Sequence, residues 1–298
     1  MKDSSQYLDY FLNRFDSHYH YFFKEVLNPG WGNNFYLVVG LIFIFFILER
    51  IFPWREKQKI NRKGLGVDIF YTAFNYIIIW FFGGYALCDL AALLFHDAVN
   101  STFGFVNFKL SNIGTLPNWL QLIFMFLYID FLSYLGHVLM HKIPFLWKLH
   151  KVHHAAEELD VFNAGKGHII ENFVYTLIGY IPLAIIGFNV ADSFIVFLII
   201  YTFSIFTHCN INIPLGPLKY IFNNPQMHIW HHDKGIRGKT GVNFGDALSI
   251  WDFFFTTAYL SEKNDGKNLE LGFKGYKKYP KGFLMQQVQP FIELLKRP

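Results

Sequence analysis

Ten of the thirteen histidines fall between His137 and His232. Eight of these form three tight groups: His137-x3-His141, His150-xx-His153-His154 and His228-xx-His231-His232. Positions i, i+3 and i+4 of a helix share one face, so each HxxHH is expected to present three imidazoles to one point. Imidazole is a ligand for iron, zinc, copper and nickel. Without a shared ligand, such a stripe of rings would repel once several were protonated, and a metal resolves this by requiring the neutral form. Eight or more nitrogen donors are too many for one tetrahedral zinc. The pattern therefore points to two metal ions side by side.

Two further histidines join the candidate set. His208 stands in Thr207-His208-Cys209-Asn210, and His168 in Gly167-His168-Ile169-Ile170-Glu171, where it reads as a ligand or as a group behind the ligands. Asp130 lies seven residues before His137 and eleven before His141, with Tyr134 between, so one helix face carries all four. A carboxylate inside an apolar stretch is costly and usually functional, and metal-bound histidines donate their second N–H to such groups. Asp130 is thus expected to sit behind the ligands. Glu157, Asp160, Glu171, Asp246 and Asp252 could also offset metal charge, with no order among them from sequence.

The elements that must position these residues read as membrane helices. The 298-residue chain is 53% hydrophobic and 16% charged, against about 25% charged in soluble domains. Stretches near the 20 apolar residues needed for a span occur at 34–52, 69–88 with apolar residues on to Phe95, 117–136, 172–191 and 193–207. The last two form a hairpin around Asn189 and Asp192, and Pro182 should kink the first of them. Residues 1–33 mix aromatics and charges and read as an interfacial helix. The expected fold is an all-α integral membrane protein, a single membrane-embedded domain of four to five transmembrane helices under a helical cap that holds the metals.

Lysine and arginine set the sidedness. Residues 49–66 hold Arg50, Arg55, Lys57, Lys59, Arg62 and Lys63, whereas residues 96–116 hold only Lys109. The first loop is expected in the cytoplasm and the second outside, which brings all three histidine groups to the cytoplasmic face. The net charge of +4 carries no nucleic-acid signal, and two cysteines, Cys88 and Cys209, make no disulfide framework.

The donor set narrows the chemistry. An all-nitrogen site excludes an iron–sulfur cluster. HExxH is absent, membrane haem would need histidines facing across spans, and a transporter would place ionisable groups at mid-membrane. A metal pair beside apolar helices suits attack on the unactivated C–H bonds of a lipid tail, giving an alcohol or, after loss of a second hydrogen, an alkene. A metal-dependent lipid hydrolase or lyase and a non-catalytic metal-binding or transport protein are the alternatives.

The ordered motifs are Asp130…His137-x3-His141, Pro144-x-Leu146-Trp147-x-x-His150-Lys151-x-His153-His154, His208-x-Asn210, Pro225-x-x-His228-x-x-His231-His232 and Asn243-Phe244-Gly245-x-x-Leu248-x-x-Trp251-Asp252. Over roughly residues 120–260 the chain resembles the fatty acid hydroxylase/sterol desaturase superfamily of membrane histidine-box enzymes. The resemblance implies two iron ions, O2 as co-substrate, a sterol, fatty acyl or alkyl lipid substrate, and electrons from a cytochrome b5-like or ferredoxin/reductase donor. It is compatible with a bacterial inner membrane or the endoplasmic reticulum. Two positions depart from the family pattern: Val138 stands where members often carry Arg, and Thr256-Thr257 where Gly-Thr is usual.

Overall fold

The computed structural model describes residues 3–30, 32–81, 84–104, 113–186, 193–235, 238, 240–261 and 266–296. Among them the regular structure is helical: α1 (Ser4–Leu27), α2 (Asn34–Ile51), α3 (Leu65–Phe81), α4 (Gly84–Phe103), α5 (Asn118–Lys142), α6 (Pro144–His150), α7 (Ile169–Ile186), α8 (Ser193–His208), α9 (Pro225–His231), α10 (Ile250–Phe254) and α11 (Phe283–Leu295). By length and composition, α2 and α5 are long and apolar enough to cross a membrane, and shorter apolar helical stretches run over Ile169–Gly179 and Ile195–His208.

Of the stretch expected as a span over residues 69–88, residues 69–81 belong to α3 and 84–88 to α4, while residues 82 and 83 lie outside the described residues. The supposed outer loop from residue 96 is helical as far as Phe103. Helix α7 continues through Pro182 to Ile186, and the hairpin residues Asn189 and Asp192 lie outside the described residues.

The chain separates into two compact units. The first comprises Met1–Val39, Tyr76–Ile129 and Phe173–Leu198; the second comprises Gly40–Asn75, Asp130–Asn172 and Ile199–Pro298. In the first, Asp3 caps α1 in a reciprocal box with Gln6, which satisfies two otherwise orphaned amide donors. Helix α1 is fastened to α4 by Arg14 and His18, whose Nε and Nε2 lie 2.5 and 3.0 Å from Asp89. Tyr7 donates to Asp97 at 2.9 Å.

The second unit holds every histidine of the candidate set. Its short helices have definite starts. Ile143 is extended before Pro144, as residues before proline must be, so α5 stops just after delivering His141. Asn224 caps α9 by accepting from Met227 N, with Pro225 at the first helical position, where its missing N–H costs nothing. Within α9 the apolar pair Ile229 and Trp230 turns away from the histidines into a buried cluster with Trp54, Leu159 and Leu271. That packing holds the third histidine group against the core.

Candidate metal centre

Nine histidines converge into two adjoining groups. His137, His141, His150, His154 and His231 form one, and His153, His208, His228 and His232 the other; within each group one nitrogen of every ring lies within 4.8 Å of the rest. The groups touch, with the rings of His154 and His232 at 4.5 Å between centroids. The sequence expectation that each HxxHH aims at a single point is corrected here. In both boxes the first and last histidines go to one group and the middle one to the other. The reason is local: α6 ends at His150, and His153 and His154 sit in the turn beyond it, while His232 is already the cap of α9.

The ring tautomers follow from the partners of Nδ1. His137, His141 and His231 donate to the carbonyls of Phe244, Thr240 and Val242 at 2.8, 2.9 and 2.9 Å. His153 donates to Lys166 O at 2.9 Å and His208 to Ser204 O at 2.7 Å. His150 donates to Glu171 Oε1 at 2.5 Å. A carbonyl can only accept, so the five rings on carbonyls carry their hydrogen on Nδ1, as does His150 against ionised Glu171, and each turns a bare lone pair at Nε2 inward. Yet the Nε2 atoms of His137 and His150 are 3.2 Å apart, and those of His153 and His208 3.1 Å apart. Two lone pairs at that distance repel unless a cation lies between them. Protonation is a poor substitute, because burial pushes His153 down to about 4 and drives His150, His154, His228, His231 and His232 well below the ordinary histidine range. His231 Nε2 is buried with no hydrogen-bond partner at all. A metal ion in each group fits this donor set.

The acceptors are the part that sequence reasoning missed. Thr240, Val242 and Phe244 alternate along one irregular segment, where the positive φ of Gly241 (+127°) and Asn243 (+54°) breaks the extended path. Backbone carbonyls leave no side-chain signature; the only trace in the sequence was Asn243-Phe244-Gly245. Glycine is required at 241, where φ is +127° and a Cβ would approach His141 Nδ1 to 3.1 Å and the Phe244 ring to 3.0 Å. The segment is held from behind by Asp252, which accepts from Phe244 N, Gly245 N and Thr257 Oγ1 at 2.8, 2.8 and 2.6 Å.

Asp130 touches no histidine. Its carboxylate is fully buried and accepts from Ala247 N at 3.0 Å and Trp251 Nε1 at 2.8 Å, so it secures the segment that carries Phe244. Glu171 occupies the place anticipated for Asp130, directly on His150. His168 belongs to neither group: its Nε2 donates to Gln287 O at 2.8 Å and its Nδ1 accepts from Ile170 N at 3.1 Å. Behind His153, Lys166 Nζ is locked at 2.6 Å to Asp68. Asp68 in turn meets Arg62 at 2.7 Å, and Arg62 meets Asp160 at 2.5 Å. Such a buried ion network fixes geometry more than it adds stability.

The comparisons with known proteins fall on this same stretch. The fatty acid hydroxylase family model matches residues 122–257. These residues are a fatty acid hydroxylase domain. An ornithine lipid hydroxylase of Rhizobium tropici is 33% identical over 54% of this chain and 47% of its own length. Human alkylglycerol monooxygenase is 31% identical over 57% of this chain and 38% of its own. A sphingolipid C4-hydroxylase of Saccharomyces cerevisiae is 27% identical over 57% and 45%. The chain thus spans under half the length of each of these curated relatives. No solved structure matches it significantly. The fatty acid hydroxylase domain encloses Asp130, Asp252 and all nine clustered histidines, and the resemblance read from the histidine boxes holds.

Proposed function

We propose that the protein is a multi-pass membrane oxidoreductase that hydroxylates a lipid C–H position, using O2, two iron ions and electrons from an external donor. The observation that supports this best is the pairing of two nitrogen-only groups in direct contact, inside a domain whose named relatives are lipid hydroxylases and monooxygenases. His137, His141, His150, His154 and His231 would hold one ion, and His153, His208, His228 and His232 the other. When bound, an iron pair would activate O2 with electrons drawn from that donor, chemistry that no side chain provides. The chain's own residues do the rest. The carbonyls of Thr240, Val242, Phe244, Lys166 and Ser204, with Glu171, hold the rings in the Nδ1–H form. Phe244 stacks edge-on against His137, His141 and His231 at 5.1 to 5.6 Å, and Trp147 covers His141 at 4.8 Å. Together they give the first group an apolar wall, which suits oxidative chemistry.

The relatives act on ornithine lipids, alkylglycerols and sphingolipids by name, so a lipid with a long alkyl chain is the substrate class proposed, and hydroxylation is preferred to desaturation. Three basic residues of the stretch 49–66, Lys57, Lys59 and Lys63, support a cytoplasmic site by the positive-inside rule; Arg50 is half-buried and paired with Glu49 at 3.5 Å. Arg62 is buried in its ion network and Arg55 is committed to Lys267 O at 3.0 Å, so neither counts toward that signal. The test is direct. Purified protein should carry about two iron ions per chain, as eight or more nitrogen ligands imply, and should oxidise lipid only with both O2 and a reductant. His153→Ala should lose iron and turnover. Full iron loading and turnover in that variant would refute the assignment, and comparison of the lipids of cells with and without the protein would identify the substrate.

A further inference from the structure

The C-terminal helix lies outside the hydroxylase domain and has two unlike faces. Its inner face is committed. Phe283 packs on Phe70, Tyr71 and Phe74 of α3 at 4.5 to 4.8 Å. Gln287 accepts from Ile169 N at 3.0 Å and from His168 at 2.8 Å, and donates to Tyr71 at 3.1 Å. Glu293 receives Lys148 on its carbonyl at 2.9 Å and Lys151 on its carboxylate at 2.6 Å. Gln286 and Pro290 are buried.

The outer face is apolar and exposed, with Phe291 at its edge also touching the His168 ring at 5.8 Å. Leu284, Val288, Phe291 and Leu295 recur at intervals of four, three and four, which places them within an arc of about 60°. Leu284 is 75% exposed and Leu295 84%. The face continues onto α3, where Ile69 and Phe70 are also exposed. Its flanks are basic: from Gly272 to Lys296 the sequence holds five lysines and a single acidic residue, Glu293, whose carboxylate is already engaged. Lys274, Lys277, Lys278, Lys281 and Lys296 are all exposed. An apolar stripe bordered by lysines, one of which, Lys281, meets an exposed carboxylate, Glu157 at 3.9 Å, matches the boundary between acyl chains and anionic headgroups.

We propose that α11 lies in the plane of the membrane surface, with Leu284, Val288, Phe291 and Leu295 sunk among acyl chains and the flanking lysines on anionic headgroups. A protein partner would have to supply acidic groups around an apolar groove; an anionic bilayer supplies both along the whole stripe. This reading goes beyond the oxidative chemistry and stands or falls separately from it.

The test uses the full chain in nanodiscs containing phosphatidylglycerol, with a nitroxide label at Val288→Cys or Phe291→Cys and, for reference, at Lys278→Cys. Cys88 and Cys209 are buried and do not compete for the label. The expected result is an inverted collision ratio: oxygen reaches Val288 and Phe291 more readily than a water-soluble nickel chelate does, and the reverse holds at Lys278. Equal access of the chelate to all three positions would overturn the proposal. So would spectral broadening at Val288 that disappears on dilution with unlabelled protein, because a second copy would then be the cover. A label shielded from both colliders would also overturn it, by indicating a protein contact. Leu284→Cys provides a second reading of the same face should either labelled variant lose its helical circular dichroism.

Discussion

Glu171 offers the sharpest test of how the histidines are held. Its Oε1 accepts from His150 Nδ1 at 2.5 Å, both side chains are buried, and its Oε2 has no partner. The carboxylate therefore fixes the ring and tautomer of His150 and places negative charge beside the two histidine groups. Glu171→Gln keeps the shape and the acceptor but removes the charge. A charge-assisted hydrogen bond contributes about 1.5–3 kcal/mol net and a neutral one about 0.5–1.5, so the loss is about 1.4 kcal/mol, or about tenfold in affinity. Glu171→Ala removes the acceptor as well and leaves a buried N–H unpaired, which brings the expected loss of iron affinity to about 10–100-fold. The assay is equilibrium competition with a graded series of chelators, with iron per chain measured by mass spectrometry. His168→Ala is the control, since that ring lies three residues away, is equally buried, and reaches neither group. Wild-type iron affinity in both Glu171 variants, or equal losses in Glu171→Ala and His168→Ala, would refute the reasoning.

Other outcomes follow from the same geometry. Thr256 sits at φ +58°, where a β-branched residue is strained and glycine is not; Thr256→Gly should stabilise the protein by about 1 kcal/mol, read as a raised unfolding midpoint. Gly241→Ala should do the opposite and also lower iron content, because its Cβ would press on His141 and Phe244; a cost of about 1–3 kcal/mol is expected. Asp130→Ala orphans two buried donors at about 1–3 kcal/mol each, and should loosen residues 243–251 to hydrogen exchange. For pH, burial lowers His153 from its ordinary value of 6.5 to about 4. Between those values the unfolded chain binds the extra proton, so the stability of chelator-treated protein should climb with pH from about 4 to about 6.5 and level off above. A denaturation midpoint flat across that range would contradict the burial of neutral rings.

How much of this was readable beforehand depended on where the physical signal resides. The nine clustered histidines were legible because an uncommon residue repeated at helical spacing is a side-chain signal. Helices α2 and α5 were legible because a long apolar run is a compositional one. Asp130 was placed on the correct face but given the wrong partner: sequence spacing shows which residues share a side of α5, and says nothing of the segment 243–251 that folds back against it. Glu171 could not be ranked among five carboxylates, since its contact with His150 is made across twenty-one residues of chain. The carbonyls of Thr240, Val242 and Phe244 had no residue-type signature at all.

Because each HxxHH box sends its ends to one group and its middle to the other, neither half of the centre can be built or dismantled on its own. On the two-iron reading, an ion in the first position would hold the backbone of both boxes in the shape the second needs, so partly loaded protein should be scarce at equilibrium. A chain starved of iron would then divide into empty and complete molecules rather than accumulate half-equipped ones, which could draw electrons from a donor and spill them.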